Sequence, residues 1–289
     1  MDFIQISLLT VLVGLVVTLA VSYFQSSSFT GAKNGISTQY RKPTFLILGP
    51  NNAGKTSLYF RLEQAANDEE DEEKDGNNKL KITPTVSSIE PNYGSIKLPI
   101  SNRSIAKPFQ LIDFPGHLKY FQLLNKLIVD EVTLQKIKGI IYVIDSSSSP
   151  DDLREVAKHL FRLLSITEKL TNGIDFLFAI NKNELFNSRP VFKIQEILEL
   201  EITQLIQEQL SEKFSGGGES GIDQGDDEED GETSGGFGAY AKDFWSSVVG
   251  SNGKFRFEML EGNMDFFNGS VLKNKIGPWE NWLDEKVVN

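Results

Sequence analysis

Short apolar runs alternate with longer amphipathic stretches along the chain after residue 43. The runs have the length of buried strands, and the stretches between them have helical spacing. We predict strands at Thr44–Leu48, Gly94–Ile100, Phe109–Ile112, Ile140–Ile144, Phe176–Ile180 and Met264–Phe267, and helices at Lys55–Gln64, Leu118–Ile137, Asp151–Leu170, Val191–Phe214 and Trp279–Val287. This alternation predicts an α/β fold, with a mostly parallel six-stranded sheet flanked by helices. Residues 239–260 are ambiguous, and the segment FRFEML within them has the pattern of a strand.

The first 24 residues have a different pattern. From Phe3 to Phe24 the chain is almost wholly apolar, and no charged residue lies between Asp2 and Lys33. Twenty-two helical residues span roughly 33 Å, which is enough for the hydrocarbon core of a bilayer. A cleaved signal peptide and a buried core helix are alternatives, but the basic segment that begins a signal peptide is missing. We therefore predict a transmembrane signal anchor at 1–24.

The positions of the basic residues predict the orientation of that anchor. Lys33, Arg41 and Lys42 follow the apolar segment and an acid precedes it, so the positive-inside rule places the bulk of the chain in the cytosol. Residues 25–43 are rich in Ser, Gly and Thr and are typical of a linker. We expect a single-pass protein whose main domain spans 44–289.

Charge is concentrated in two acidic segments. The net charge is −11, of which residues 67–79 contribute −5 and residues 215–236 contribute −8, so the rest of the chain sums to +2. Segments of this kind are usually solvated insertions without fixed structure. Because the remainder is near neutral, we expect no nucleic-acid surface. Cysteine is absent, which excludes disulfides and thiolate metal sites, and two histidines are too few for a multi-histidine site.

A complete phosphate-binding motif, G-x-x-x-x-G-K-[ST], follows the first predicted strand and opens the first predicted helix. Its glycines let backbone N–H groups turn inward toward phosphate oxygens, and the helix N-terminus adds partial positive charge. We expect Lys55 to reach the β- and γ-phosphates and the Thr56 hydroxyl to bind Mg²⁺. The residues assigned to the phosphate site are Gly49, Asn51, Asn52, Ala53, Gly54, Lys55, Thr56 and Ser57.

A second motif, D-x-x-G, ends the strand Phe109–Ile112. Asp113 is placed to hold the Mg²⁺ shell, and the Gly116 amide can meet the γ-phosphate. Alone this motif is weak, since many strand-end aspartates only cap a turn. Its position about 60 residues after the phosphate motif favours the functional interpretation.

Two further residues are candidates on the γ-phosphate side. A threonine that completes the Mg²⁺ shell should lie between the first helix and the Asp113 strand, and we favour Thr85 over its rival Thr83. His117 stands where Ras-like enzymes usually carry a water-positioning glutamine, and it is our candidate catalytic residue. The alternative is that His117 is a polar residue beside the site with no effect on rate.

The sequence N-K-x-E at the end of the strand Phe176–Ile180 predicts a guanine site. The Glu184 carboxylate can accept two N–H bonds from guanine, which adenine cannot supply. Asn181 braces the loop, and the stem of Lys182 covers the base. The usual motif ends in Asp, and the longer Glu184 puts the strength of guanine selection in doubt. Ser270 and Val271, before the last helix, are the candidates for a fourth loop at the base.

The order of these motifs resembles the Ras-like small GTPases, and the Pro84-Thr85 pair is closest to the Arf and Sar families. The resemblance covers about residues 44–289 and implies a P-loop GTPase fold with GTP or GDP and Mg²⁺ as cofactors. The N-terminal apolar segment, GPNNAGKT, DFPGH and the C-terminal SV…W…WL pattern together resemble the beta-subunit family of the signal recognition particle receptor. The sequence departs from the family at Glu184 and at the two acidic insertions.

This second resemblance implies a partner and a location. Members of that family hold the receptor's alpha subunit at the endoplasmic reticulum membrane when GTP is bound, so contact with ribosome–nascent-chain complexes is indirect. The implied partner surface includes the switch segments around Thr83–Pro91 and Phe114–Tyr120. Myristoylation and prenylation motifs are absent, and the predicted anchor stands in their place.

Three other functions share these motifs. A binding module could hold GTP without turnover, an Arf-like regulator could cycle on and off membranes, and an ATPase or kinase could use the same phosphate loop. No obvious catalytic arginine lies near the motifs, so the GTPase hypothesis predicts slow intrinsic hydrolysis.

Overall fold

Six strands form a single sheet in the order β2-β3-β1-β4-β5-β6. The computed structural model describes residues 42–67, 85, 88–132, 136–168, 173–211, 243–250 and 253–288. The strands are β1 (Thr44–Leu48), β2 (Asn92–Leu98), β3 (Lys107–Asp113), β4 (Ile137–Asp145), β5 (Phe176–Asn181) and β6 (Met264–Asn268). Only β2 runs antiparallel to its neighbour, and the other four pairings are parallel. The predicted α/β fold with a mostly parallel six-stranded sheet is confirmed.

Helices cover both faces of this sheet. They are α1 (Lys55–Asn67), α2 (Phe121–Lys126), α3 (Pro150–Thr167), α4 (Val191–Ser211), α5 (243–249) and α6 (Gly277–Val288). On one face, alternate strand residues such as Ile47 and Val143 pack with α1 and α6 in one buried cluster. On the other face, the Tyr142 hydroxyl lies 2.9 Å from Nδ1 of His159 on α3. Because parallel strands end at one edge, β1, β4 and β5 bring their following loops together there.

The segment predicted as one helix, Leu118–Ile137, differs in the structure. A 3₁₀ turn (Leu118–Tyr120), the short helix α2 and a π turn (Leu127–Glu131) replace it, and Ile137 already begins β4. The prediction was wrong at its C-terminal end because Ile137 pairs with Thr44 and Gly139 pairs with Phe45. Tertiary pairing therefore overrides the helical spacing of the sequence.

The ambiguous segment 239–260 holds no strand among its described residues. Helix α5 is followed by a 3₁₀ turn at Phe257–Met259. The Phe255 N–H donates to the Thr203 hydroxyl at 3.0 Å, and the Phe257 N–H donates to a Glu199 carboxylate oxygen at 3.2 Å. Trp245, Phe255 and Phe257 of this segment are buried, but side chains of α4 accept the backbone N–H groups that a strand would offer to a neighbouring strand.

Several predicted segments lie outside the described residues. These are the signal anchor 1–24, all of the linker 25–43 except its last two residues, and both acidic insertions apart from Asn67, which ends α1. Among the helices that the structure does describe, none combines the length and the apolar character that crossing a bilayer requires. The described elements belong to one compact unit, Lys42–Asn289.

Candidate functional site

The loop between β1 and α1 has the backbone conformation that a phosphate cradle requires. Gly49 and Gly54 have φ angles of 137° and 98°, where a side chain would be strained. A Cβ at Gly49 would also overlap the Val143 carbonyl oxygen. Asn52 shares the left-handed region with φ 61°, while Asn51 is exposed and Ala53 is fully buried. The loop therefore wraps tightly at the N-terminus of α1, where oriented N–H groups favour anions.

Lys55 extends across the inside of this loop. Its Nζ donates to the Pro50 carbonyl oxygen at 2.8 Å, and the residue is buried. A Cβ at Gly116 would lie 2.5 Å from Lys55 Nζ and 2.5 Å from the Gly49 carbonyl oxygen, so Gly116 borders the same space. Burial lowers the pKa of Lys55 to about 8, although the Asp113 carboxylate opposes this change. A bound anion would restore the charge that burial disfavours.

Two of the three predicted metal ligands, Thr56 and Asp113, are in contact. The Thr56 hydroxyl donates to Asp113 Oδ2 at 2.7 Å, and Asp113 is fully buried. Burial raises the pKa of Asp113, while hydrogen bonds from Thr56 and Asn92 and the charge of Lys55 act in the opposite direction. No described residue donates to the other carboxylate oxygen, Oδ1. A hydroxyl and a carboxylate side by side, with one oxygen unpaired, match the oxygen ligands that Mg²⁺ prefers.

The predicted switch threonine lies at the rim of this pair. The Thr85 hydroxyl is 2.9 Å from the hydroxyl of Ser57 and is exposed. The hydroxyl in contact with Thr56 is instead that of Ser88, at 3.1 Å. Both Ser57 and Thr85 therefore border the site, and Thr85 as a metal ligand stays a prediction, as does its rival Thr83, which lies outside the described residues.

The candidate catalytic residue, His117, is exposed. Its Nδ1 accepts the Lys119 backbone N–H at 3.2 Å, and its ring packs against Tyr120 with centroids 6.3 Å apart. In this arrangement the Nδ1 lone pair is engaged by the chain itself. A role in orienting water would use Nε2 or a rotated side chain, so the catalytic assignment stays a prediction.

Asn181 connects the loops that were predicted separately. Its amide Nδ2 donates to the Ala53 carbonyl oxygen at 2.8 Å, and its Oδ1 accepts the Val271 N–H at 3.1 Å. Gly54 must be glycine here, because a Cβ would overlap the Asn181 amide. The phosphate loop, the loop after β5 and the loop after β6 are therefore held together by one side chain.

Lys182 is held by Asp145, an acid that belongs to none of the predicted motifs. Its Nζ lies 2.7 Å from Asp145 Oδ2, and its backbone has φ 63°. Asp145 ends β4, and its Oδ1 accepts the Ser147 N–H at 2.8 Å. Burial favours a higher pKa, but hydrogen bonds from Lys182 and Ser147 outweigh it and hold the pKa of Asp145 below its usual value. An acid at the carboxyl end of a central strand was the signal that could have identified it.

The proposed base-reading residue has an unsatisfied oxygen. Glu184 is half-buried, and its Oε2 accepts no hydrogen bond from the part of the chain that the structure describes. Ser270 and Val271 are buried beside this region. The Ser270 N–H donates to the Lys275 carbonyl oxygen at 3.1 Å, and the Lys275 N–H donates back to Ser270 at 2.8 Å, which closes the loop.

The donor and acceptor set fits a nucleotide with a divalent cation. The site has two sides, the phosphate loop with Lys55 and the loop that carries Glu184, and Asn181 joins them through its hydrogen bond to the Ala53 carbonyl oxygen. Unpaired acceptors remain on both sides, at Asp113 Oδ1 and Glu184 Oε2, among the described residues. Buried acceptors without partners are costly, and a metal shell and guanine N–H groups would satisfy them. The chemistry implied by the motifs is therefore consistent with the geometry.

Comparison with known proteins identifies the family. The model of the family described as "Signal recognition particle receptor beta subunit" matches residues 40–263. The "Signal recognition particle receptor subunit beta" of Saccharomyces cerevisiae is 32% identical over 271 residues, which cover 93% of each chain. The protein of the same description from Mus musculus is 26% identical over 161 residues, which are 55% of this chain and 51% of the mouse protein.

Solved structures agree on the fold. "The Structure of the Mammalian SRP Receptor" aligns with a TM-score of 0.58 at 22% identity, covering 84% of this chain and 99% of the other. The "Signal recognition particle receptor SRb-GTP/SRX complex from Chaetomium thermophilum" aligns with a TM-score of 0.59 at 21% identity, covering 84% and 98%. From its family match and its similarity to the yeast protein, the chain belongs to the family of signal recognition particle receptor beta subunits.

Proposed function

We propose that this chain is the GTP-binding, membrane-anchored subunit of a signal recognition particle receptor, which holds the alpha subunit at the endoplasmic reticulum when GTP is bound. The observation that supports nucleotide binding is the pair of hydrogen bonds made by the Asn181 side chain. These bonds join the phosphate loop and the loop after β6 in one site. The Chaetomium thermophilum structure, described as a GTP-bound complex with SRX, supports the same nucleotide and an alpha-subunit partner.

Each part of the site has a role in this proposal. Lys55 and the loop glycines bind the β- and γ-phosphates, and Thr56 and Asp113 hold Mg²⁺, which neutralises phosphate charge when bound. Asn181 and Lys182 support the base, and Glu184 accepts its N–H groups. Segments around Thr85 and Gly116 border the γ-phosphate side, so their order depends on whether that phosphate is present. A partner that binds those ordered segments then distinguishes GTP from GDP.

The anchor and the location are part of the proposal. The uncharged apolar run from Phe3 to Phe24 supports one membrane-spanning helix, and the basic residues after it support a cytosolic GTPase domain. The alpha subunit would then be recruited from the cytosol, and ribosome–nascent-chain complexes would be contacted through that subunit.

The deciding experiment loads the full-length chain, in detergent, with GTP plus Mg²⁺ or with GDP plus Mg²⁺ and offers it the purified alpha subunit. The proposal expects retention of the alpha subunit with GTP and much weaker retention with GDP. Lys55→Ala, which removes the phosphate contact, is the matched negative control. Equal retention with both nucleotides and with Lys55→Ala would show that docking does not depend on the nucleotide.

One observation favours a second candidate function, a scaffold that holds GTP without turnover. His117 is exposed and its Nδ1 already accepts the Lys119 N–H, so Nδ1 is not available to orient a water in this arrangement. Single-turnover hydrolysis by wild type and His117→Ala separates the two functions. A GTPase that uses His117 becomes slower on substitution, whereas a scaffold shows the same residual rate in both proteins.

A further inference from the structure

The carboxylate of Asp113 is held by more than the phosphate loop. Its Oδ2 accepts hydrogen bonds from the Thr56 hydroxyl at 2.7 Å and from the Asn92 amide at 2.9 Å. The same Asn92 amide lies 3.2 Å from Ser88 Oγ, which is 3.1 Å from Thr56 Oγ1. These four side chains form a closed ring of hydrogen bonds, and two of its members, Thr56 and Asp113, are expected metal ligands.

The register of the sheet explains why Asn92 is there. Asn92 begins the edge strand β2 and is the direct cross-strand partner of Asp113, the last residue of β3. Side chains of directly opposed residues lie on the same face of a sheet, within reach of each other. The asparagine is half-buried, so its amide is partly shielded from water. The contact is therefore a consequence of strand pairing and is independent of the phosphate motif.

An amide suits this position for an electrostatic reason. Asp113 is fully buried, and a buried carboxylate needs donors. Asn92 supplies an N–H without adding a positive charge that would compete with a cation. Because both donors bind Oδ2, the carboxylate is fixed in orientation, and Oδ1 is the oxygen left without a partner among the described residues.

We propose that Asn92 is a positioning residue for the Mg²⁺ site, orienting Asp113 so that Oδ1 serves the metal's ligand shell, with Ser88 as its support. This inference rests on the proposed function, because it assumes that Thr56 and Asp113 hold the cation of a bound nucleotide. Ser88 also links the segment that enters β2 to Thr56. Loss of the Asn92 amide should therefore weaken Mg²⁺ binding. The phosphate loop and the loops after β5 and β6 should keep their own contacts.

The test measures Mg²⁺ affinity directly, by calorimetric titration of Mg²⁺ into the GDP-loaded, Mg²⁺-free full-length chain in detergent. Asn92→Ala is expected to weaken Mg²⁺ binding about 10- to 100-fold, the usual effect of removing a residue that orients a metal ligand. Ser88→Ala is expected to give a smaller loss in the same direction. Ser95→Ala, on the exposed side of β2, is the matched control and keeps wild-type affinity.

A second readout separates positioning from general damage. With excess EDTA, the release rate of fluorescent GDP from Asn92→Ala should equal that of wild type, because Asn92 acts only through the metal site. Asn92→Gln, which keeps an amide donor on a longer side chain, should recover part of the Mg²⁺ affinity. Faster release in EDTA, or a loss that Asn92→Gln does not reduce, would indicate a structural role and would overturn the inference.

The outcomes also separate this inference from the proposed function. If wild type takes up no guanine nucleotide, the proposed function fails and the inference fails with it. If wild type binds GDP and Mg²⁺ but Asn92→Ala has wild-type Mg²⁺ affinity, only the inference is overturned. Should Asn92→Ala not fold, Ser88→Ala decides, and an unchanged Mg²⁺ affinity in that variant overturns the inference.

Discussion

At the scale of single residues, the buried ammonium of Lys55 predicts a dependence on pH. Burial lowers its pKa to about 8, so the free site loses the proton as the pH rises through that value. Bound phosphates favour the charged form, and GDP binding above pH 8 must therefore take up a proton. At pH 8.5 we expect Lys55 to take up about 0.8 proton per GDP, the deprotonated fraction of one group of that pKa, and the affinity should fall as the pH rises.

Calorimetry in buffers of different ionisation enthalpy measures that proton uptake. The same protein at pH 6.5 is the control, because Lys55 is then already charged and takes up no proton, and any protons exchanged at that pH come from the GDP phosphate. Equal proton uptake at the two pH values would contradict the assignment of the titration to Lys55.

A second prediction at this scale is that Glu184 selects guanine over bases that lack the 2-amino group. Its Oε2 has no partner among the described residues, so a guanine 2-amino group would gain a full hydrogen bond to a charged acceptor. Inosine diphosphate lacks that amino group, and wild type should bind it at least about tenfold more weakly than GDP. In Glu184→Ala the two nucleotides should bind almost equally.

Competition binding against fluorescent GDP measures both affinities. Asn183→Ala is the matched control, because Asn183 is exposed and holds Gly269 through its backbone N–H rather than its side chain. If Glu184→Ala discriminates between GDP and inosine diphosphate as well as wild type does, the carboxylate does not bind the base.

At the scale of elements, the C-terminal helix fastens the β2–β3 hairpin. Asp284 on α6 accepts the backbone N–H groups of Ile100 and Ser101 at 2.6 and 2.8 Å. Asp284→Ala removes both acceptors, and we expect the free energy of unfolding to fall by about 2 kcal/mol, the value of hydrogen bonds to a charged group. Chemical denaturation measures this change, with Glu285→Ala as the exposed neighbouring control. Equal midpoints for the two variants would show that the two hydrogen bonds contribute nothing to stability.

The strands were predictable where local pattern and tertiary pairing agree. Thr44–Leu48 was predicted with the observed bounds, since a short apolar run between polar segments has few other buried arrangements. Local pattern and observed structure disagree where hydrogen-bond partners distant in sequence determine the conformation. Ile137 has the spacing of a helix but pairs with Thr44, and Phe255 has the pattern of a strand but donates its N–H to Thr203. Those partners are far apart in sequence, so no local pattern reports them.

In the candidate site, too, residues in local motifs were predictable and contacts between distant segments were not. Lys55, Thr56 and Asp113 were predicted because each stands in a short motif whose chemistry is local. The contacts of Asn92 and Asp145 were not predicted, because they depend on which strands are neighbours and in what register. Thr85 was chosen for its position between the first helix and the Asp113 strand, whereas the hydroxyl in contact with Thr56 is that of Ser88, four residues before β2 begins.

At the scale of the whole molecule, one ligand should stabilise loops that are distant in sequence. The loop after β1, the loop after β5 and the loop after β6 meet at Asn181, so a nucleotide that contacts them all binds only the folded chain. At 100 times its dissociation constant, GDP with Mg²⁺ should then raise the free energy of unfolding by about 2.7 kcal/mol. For a domain of this size the melting temperature should rise by about 5–10 °C.

Differential scanning calorimetry of the full-length chain with GDP, with ADP and without nucleotide tests this linkage. ADP carries the same diphosphate but lacks the N–H groups that Glu184 accepts, so its effect reports the phosphate loop alone. If the loop that carries Glu184 binds the base, ADP should raise the melting temperature clearly less than GDP does. If both nucleotides raise the melting temperature equally, the loops at Glu184 and Val271 do not contact the base, and the site is a general phosphate site rather than a guanine-nucleotide switch.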